Sequence, residues 1–146
     1  VIEKTNINLE NVLKEVIDNL SFAYPKQKMN YNSSEIYINS DEALLKLLFK
    51  NLIENAIKYG NNNPVNVVLE KEKKIKVVIE DFGIGMSKEA LPHIFDRFYR
   101  EDEARNREIK SYGLGLSIVK EIITLLDIDI QVESQIDKGT KITLLF

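Results

Sequence analysis

The chain has 146 residues, 44% of them hydrophobic, with 20 basic against 23 acidic side chains for a net charge of −3, one histidine and no cysteine. That length suits one domain able to bury roughly 70% of its unfolded surface, and the charge offers no footing for nucleic acid or an anionic membrane surface. Without cysteine there are no disulfides, thiol chemistry or sulfur-bound metals, which suits a reducing compartment, and a lone histidine argues against structural zinc.

No apolar run approaches the ~18 residues of a membrane span. The start, Val1-Ile2-Glu3-Lys4-Thr5, lacks the basic-then-apolar order of a signal peptide. The chain opens mid-pattern and without Met, so it reads as a domain cut from a larger protein. Apolar residues at 9, 12, 13, 16, 17 and 20 predict a first helix, with Asn8 as its N-cap and Pro25 ending it soon after Tyr24. Short strands follow over Met29–Asn32 and Ile36–Ile38. Ser40 or Asp41 caps a second helix running to about Tyr59, stopped by Gly60-Asn61-Asn62-Asn63-Pro64.

Residues 65–70 and 74–81 read as a hairpin around a charged turn. A short helix is expected over Ser87–Phe95, broken at Pro92. Arg97–Tyr112 is charged, weakly patterned and about sixteen residues long, a length that marks functional or disordered loops. Gly113–Leu126 returns to helix, and Ile128–Ser134 and Thr140–Phe146 close the chain as a strand pair. Helices interspersed with hairpins predict an α+β fold, a two-layer sandwich with about five strands in a mixed sheet and three helices on one face.

Three separated segments carry candidate chemistry. On the second helix Asn51, Asn55, Lys58 and Tyr59 share one face. Two amides on an apolar helix either bond locally and sit at the solvent boundary, or Asn55 offers its oxygen to a hard cation such as Mg²⁺ while Lys58 meets a phosphate. Asp81 ends a buried-looking strand before Gly83 and Gly85. It is either a turn residue, with the glycines supplying positive φ, or a carboxylate accepting from an exocyclic amine, with the glycines clearing room for the ring. Gly113-Leu114-Gly115 opens a helix whose free amides suit an anion. Asp81-Phe82-Gly83 also spells the metal-binding tripeptide of eukaryotic-type protein kinases, but the other signatures of that fold, and the Walker phosphate loop, are missing.

In order and spacing, Asn51-Leu52-Ile53-Glu54-Asn55-Ala56-Ile57-Lys58-Tyr59, Asp81-Phe82-Gly83-Ile84-Gly85-Met86, Ile94-Phe95-Asp96-Arg97-Phe98-Tyr99-Arg100 and Gly113-Leu114-Gly115-Leu116-Ser117-Ile118-Val119-Lys120 resemble the N, G1, F and G2 boxes of the ATP-binding domain of bacterial sensor histidine kinases. That family shares a superfamily with gyrase, the heat-shock chaperone ATPase and mismatch-repair ATPases. The tail, Val132-Glu133-Ser134 and Lys138-Gly139-Thr140, is similar too. The resemblance implies one domain over 1–146 that binds ATP and Mg²⁺ and passes the γ-phosphoryl group to a histidine.

It also implies roles. Asn55 would hold Mg²⁺, Asn51 would support the nucleotide end of the helix, Lys58 would touch phosphate and Tyr59 the adenine ring. Asp81 would accept from the adenine amine, with Gly83 and Gly85 making room. Residues 97–112 would form a mobile lid, with Arg97 in its nucleotide-binding set and Arg100 reaching the γ-phosphate. Gly113, Leu114 and Gly115 would line the phosphates with backbone amides. The acceptor histidine would lie on a dimerisation domain of the same protein or its dimer mate, absent from this chain, with a response regulator as indirect partner. The isolated domain is expected to be monomeric, and the whole protein to be anchored in the bacterial cell membrane with this domain in the cytoplasm.

Two departures bear on function. Hydrolytic members carry Glu four residues before the magnesium Asn; here that position is Asn51, an amide that cannot serve as a general base. Glu54 is rotated about 100° from Asn55 and substitutes poorly. Transfer with little hydrolysis is therefore expected, ahead of a nucleotide sensor without transfer or a gyrase-type ATPase. Ser111 stands where histidine kinases often have a first glycine of the last box, and Asp127-Ile128-Asp129 replaces a usual His-Gly-Gly. His93 reads as a surface or packing residue.

Overall fold

In this computed structural model the described residues are 2–96 and 112–146, with side chains at 112–115 excepted. Strand β1 (Thr5–Asn8) leads into helix α1 (Leu9–Ala23), followed by β2 (Met29–Asn32), β3 (Tyr37–Ser40) and helix α2 (Glu42–Lys58). The hairpin β4 (Val65–Lys71) and β5 (Ile75–Asp81) comes next, then helix α3 (Tyr112–Leu126) and the hairpin β6 (Asp129–Gln135) and β7 (Gly139–Leu145).

The helices form where the apolar period places them. α1 buries Leu9, Val12, Leu13, Val16, Ile17 and Leu20, and its cap is Asn8, whose Oδ1 accepts from the Asn11 amide at 3.2 Å. α2 buries Leu45, Leu48, Phe49, Leu52, Ile53, Ala56 and Ile57. Of its two candidate caps Asp41 is the one used, accepting from the Leu44 amide at 3.0 Å and also from the Glu3 amide at 2.9 Å. Those amides hold the Asp41 carboxyl below the usual carboxylate range.

The main sheet has five strands in the order β2-β4-β5-β7-β6. β2 runs parallel to β4, while the β4–β5, β5–β7 and β6–β7 pairs are antiparallel. Period-two alternation turns Val65, Val67, Leu69, Val77, Ile79 and Leu144 into one core with the helices, and the other face keeps residues such as Glu70, Lys76, Glu80 and Lys141. α2 lies between α1 and α3 and touches both. The two-layer α+β sandwich with a mixed five-stranded sheet and three helices is therefore the fold.

The structure adds one strand and corrects one helix. β1, whose sequence Thr5-Asn6-Ile7-Asn8 shows too little pattern to reveal it, pairs antiparallel with β3 in a separate two-stranded sheet. The helix expected over Ser87–Phe95 is a single 3-10 turn, Leu91–His93. Pro92 has no amide to continue a helical ladder, and burial of Ala90 and Ile94 anchors the segment instead.

Candidate nucleotide-binding site

Strand β5 carries Asp81 at its last position, on the same side as buried Val77 and Ile79, so the alternation that builds the core also drives this carboxylate inward. Asp81 is 8% exposed. Burial pushes its carboxyl up to about 6; the Gly83 and Thr140 amides pull it back down, and the charge of Glu80 pushes it further up. Its Oδ1 accepts from the Gly83 amide at 3.0 Å. Among the described residues no cation contributes to its titration, so the carboxylate is buried there without a charge partner.

The glycines beside it serve the protein's own backbone. A Cβ on Gly83 would collide with the Tyr59 carbonyl oxygen and crowd Gly60, and one on Gly85 would collide with the Gln135 carbonyl. Only Gly85 has a left-handed backbone, φ +65°, so the expectation of positive φ at Gly83 is corrected. The loop is stitched to the end of α2: the Ile84 amide donates to Tyr59 O at 3.1 Å, and Asn63 Nδ2 donates to Phe82 O at 2.8 Å. On its other side the Asp137 amide donates to Ile84 O at 2.8 Å. Thus the second helix, the Asp81 loop and the closing hairpin meet, although 22 residues separate Tyr59 from Asp81 and more than 50 separate Asp81 from Asp137.

On α2 the predicted residues differ in how firmly they are held. Asn51 Nδ2 donates to Leu47 O at 2.8 Å, one turn back in the same helix. Glu54 accepts from the Tyr24 hydroxyl at 2.9 Å, which ties it to the end of α1. Asn55 Nδ2 is buried and has no hydrogen-bond partner among the described residues. Lys58 is exposed in the last turn, where a cation also suits the helix dipole. Tyr59 caps the helix and is 7% exposed.

Gly113, Leu114 and Gly115 lie in the first turn of α3. Arg97, Arg100, Ser111 and all of the expected lid but Tyr112 lie outside the described residues. His93 is a surface residue whose Nδ1 lies 3.2 Å from Asp96 Oδ2.

Two residues not singled out as site residues in the sequence belong to the wall beside Asp81. Thr140 is its register partner on β7, and Ser134 is the register partner of Thr140 on β6. Their hydroxyls are 2.8 Å apart. Only the strand order puts Thr140 beside Asp81 and Ser134 one strand further along the same row.

No cluster of three or more His, Cys, Asp or Glu among the described residues forms a metal cage. The donor set fits Mg²⁺ in one specific way. Magnesium keeps waters and phosphate oxygens and takes only one or two protein ligands, and Asn55, whose Nδ2 has no hydrogen-bond partner among the described residues, carries an amide oxygen of the kind such an ion takes.

A sheet covered by three helices, with a buried acid at the end of one strand and, on the central helix, an amide nitrogen without a partner among the described residues, defines a class of nucleotide-binding domain. Residues 40–146, more than half of the chain, match the family described as Histidine kinase-, DNA gyrase B-, and HSP90-like ATPase, and the chain belongs to that family. Among its curated relatives, the sensor histidine kinase YkoH of Bacillus subtilis (strain 168) is 34% identical over 146 residues, covering 99% of this chain and 32% of that protein. The signal transduction histidine-protein kinase ArlS of Staphylococcus aureus (strain USA300) is 34% identical over 148 residues, covering 99% and 33%. The chain thus spans about a third of the length of the curated relatives it matches. In three dimensions it resembles the mycobacterial sensor histidine kinase MprB, with a TM-score of 0.85 at 20% identity over 99% of this chain and 97% of that one, a likeness of fold.

Proposed function

We propose that this domain binds Mg²⁺-ATP and transfers the γ-phosphoryl group to a histidine on a separate dimerisation domain, within a two-component sensor kinase. The observation that carries the reading is Asp81, a buried carboxylate with no cationic partner among the described residues, packed against the helix end that bears Asn55, Lys58 and Tyr59. A buried carboxylate stays costly unless donors beyond its two backbone amides meet it, and the exocyclic amine of adenine is such a donor.

In this reading Asp81 fixes the base and Tyr59 backs the ring. Lys58 and the amides of Gly113, Leu114 and Gly115 take phosphate oxygens, and Arg97 and Arg100 reach the phosphates from the lid over 97–112. Asn55 would hold Mg²⁺, which when bound neutralises charge on the triphosphate. Asn51 has no basic atom, so water is not activated beside the γ-phosphate. Glu54 does not replace it, because its carboxylate is engaged by Tyr24. Retention of ATP for transfer follows. The family and the names of the relatives support a kinase over a pure sensor module.

The acceptor histidine would come from the same protein or its dimer mate, with a response regulator downstream. No helix among the described residues is long and apolar enough to cross a membrane; we place the domain on the cytoplasmic side of a longer, membrane-anchored protein. Calorimetric titration with ADP and with a non-hydrolysable ATP analogue, with and without Mg²⁺, tests binding: saturable heat is expected, and none in any arm overturns the reading. Mixing the domain with a separate histidine-bearing dimerisation domain and γ-labelled ATP should label histidine. Release of free phosphate without acceptor would instead favour a hydrolase.

A further inference from the structure

Asp81, Thr140 and Ser134 form one cross-strand row on the helix-covered face of the sheet, each the register neighbour of the next. The hydroxyl of Ser134 has three partners. It lies 2.8 Å from the Met86 amide nitrogen, 3.0 Å from the Gly139 carbonyl oxygen and 2.8 Å from Thr140 Oγ1. A hydroxyl owns one proton and two lone pairs. The Met86 amide can only donate and occupies one lone pair. The Gly139 carbonyl can only accept and takes the single proton. What remains on Ser134 is a lone pair, so at 2.8 Å Thr140 must be the donor. Its own proton is then spent on Ser134, and beside its register partner Asp81 the Thr140 hydroxyl is left with lone pairs alone.

We propose that Ser134 is a positioning residue for base selection: by consuming the Thr140 proton it makes the wall beside Asp81 accept hydrogen bonds only, so that a 6-aminopurine nucleotide is admitted and a 6-oxopurine nucleotide is rejected. The inference rests on the nucleotide reading of this site and adds what sets its base preference. An amino group at the purine 6-position donates to such a wall directly or through water, whereas an oxygen there faces only lone pairs. Sites built around fixed polar groups discriminate strongly, because a mismatched ligand leaves buried groups unpaired. Freed from Ser134, the Thr140 hydroxyl can rotate and donate to a 6-oxo group.

The test compares ADP with inosine diphosphate by calorimetry at pH 8, above the range in which Asp81 titrates. Wild type should favour ADP. Ser134→Ala should narrow the IDP-to-ADP ratio of dissociation constants by about fivefold or more, and Ser134→Thr, which keeps the hydroxyl, should restore it. Thr140→Val removes the group on which Ser134 acts, so adding Ser134→Ala to it should leave the ratio unchanged. A folded Ser134→Ala variant that weakens both nucleotides equally, as simple loosening of the Met86 loop would do, overturns the proposal. So does the same narrowing in the Thr140→Val background.

Should Ser134→Ala not fold, the wild-type protein itself decides by NMR. A slowly exchanging Thr140 hydroxyl proton with a contact to the Ser134 β-protons supports the assignment, and one directed at Asp81 overturns it. Binding of neither nucleotide to wild type would defeat the functional reading and this inference with it, an outcome distinct from an unchanged ratio.

Discussion

The two ends of the site are built in opposite ways. At the base end Asp81, Thr140 and Ser134 hold their places through sheet register, and the adjoining loop is tied to α2 on one side and the β6–β7 turn on the other. On α2 the groups proposed to face the phosphates are looser: the buried Asn55 nitrogen has no partner among the described residues, and Lys58 is exposed. Under the proposed function the difference follows from what each end would meet. A flat, neutral ring needs a rigid wall with fixed acceptors, and preorganisation lowers the ordering cost of binding it. A triphosphate brings its own charge and metal, so the protein can leave its ligating groups uncommitted until they arrive.

The most damaging change to the rigid end should be Gly83→Ala. Its Cβ would enter the space of the Tyr59 carbonyl, and a loss at the upper end of ~1–3 kcal/mol is expected in urea unfolding, with nucleotide affinity falling alongside. A mutant as stable as wild type would show that the loop and α2 are not held as described. Next, Asp81→Asn should weaken ADP by about 1.5–3 kcal/mol, as for a hydrogen bond to a charged group. The same substitution should raise the melting temperature, since a buried carboxylate with no cationic partner among the described residues is removed. Lower affinity with higher stability separates a binding residue from a structural one.

The titration of Asp81 sharpens the same point. Its folded pKa of about 6 lies above the ordinary 3.8, so the native state binds more protons than the unfolded one between those values. The contribution of this group to stability therefore falls as pH rises from 3.8 to about 6 and stays at its lower level above that. ADP affinity should move the other way, increasing as pH rises through about 6 and levelling off. An Asp81→Asn variant should lose both dependences; affinity flat across that range in wild type would remove the carboxylate from the base pocket.

At the looser end, Asn55→Ala should abolish most of the Mg²⁺-dependent tightening, about tenfold or ~1.4 kcal/mol, and leave metal-free ADP binding near wild type. Because the deleted amide nitrogen has no partner among the described residues, the melting temperature should hold or rise. A marked loss of stability would mean that the amide is committed to the fold after all. The smallest effect should come from Tyr24→Phe, about 0.5 kcal/mol for a part-exposed hydroxyl bonded to Glu54. Unchanged phosphate release in that variant would support the exclusion of Glu54 as a base; a rise would bring it back.

Much was legible along the chain because it is local. Apolar spacing located α1 and α2, alternation located the β4–β5 and β6–β7 hairpins, and Asn8 and Pro25 marked where α1 starts and ends. β1 escaped because four residues with one buried side chain have no usable period, and Pro92 shortened a helix that composition favoured. In the site, Asp81 stood out as an acid ending an apolar strand, and the boxes around Asn55 and Gly113 stood out by order and spacing.

What neighbours what was decided only by the fold. Ser134 lies 53 positions beyond Asp81, and the two share a row solely because β7 inserts between β5 and β6. The need for glycine at 83 likewise follows from Tyr59, whose carbonyl arrives there from another helix. Periodicity along a strand dictates which side chains turn inward, but hydrogen-bond partners are chosen by sheet order and register, and those follow from packing of the whole core.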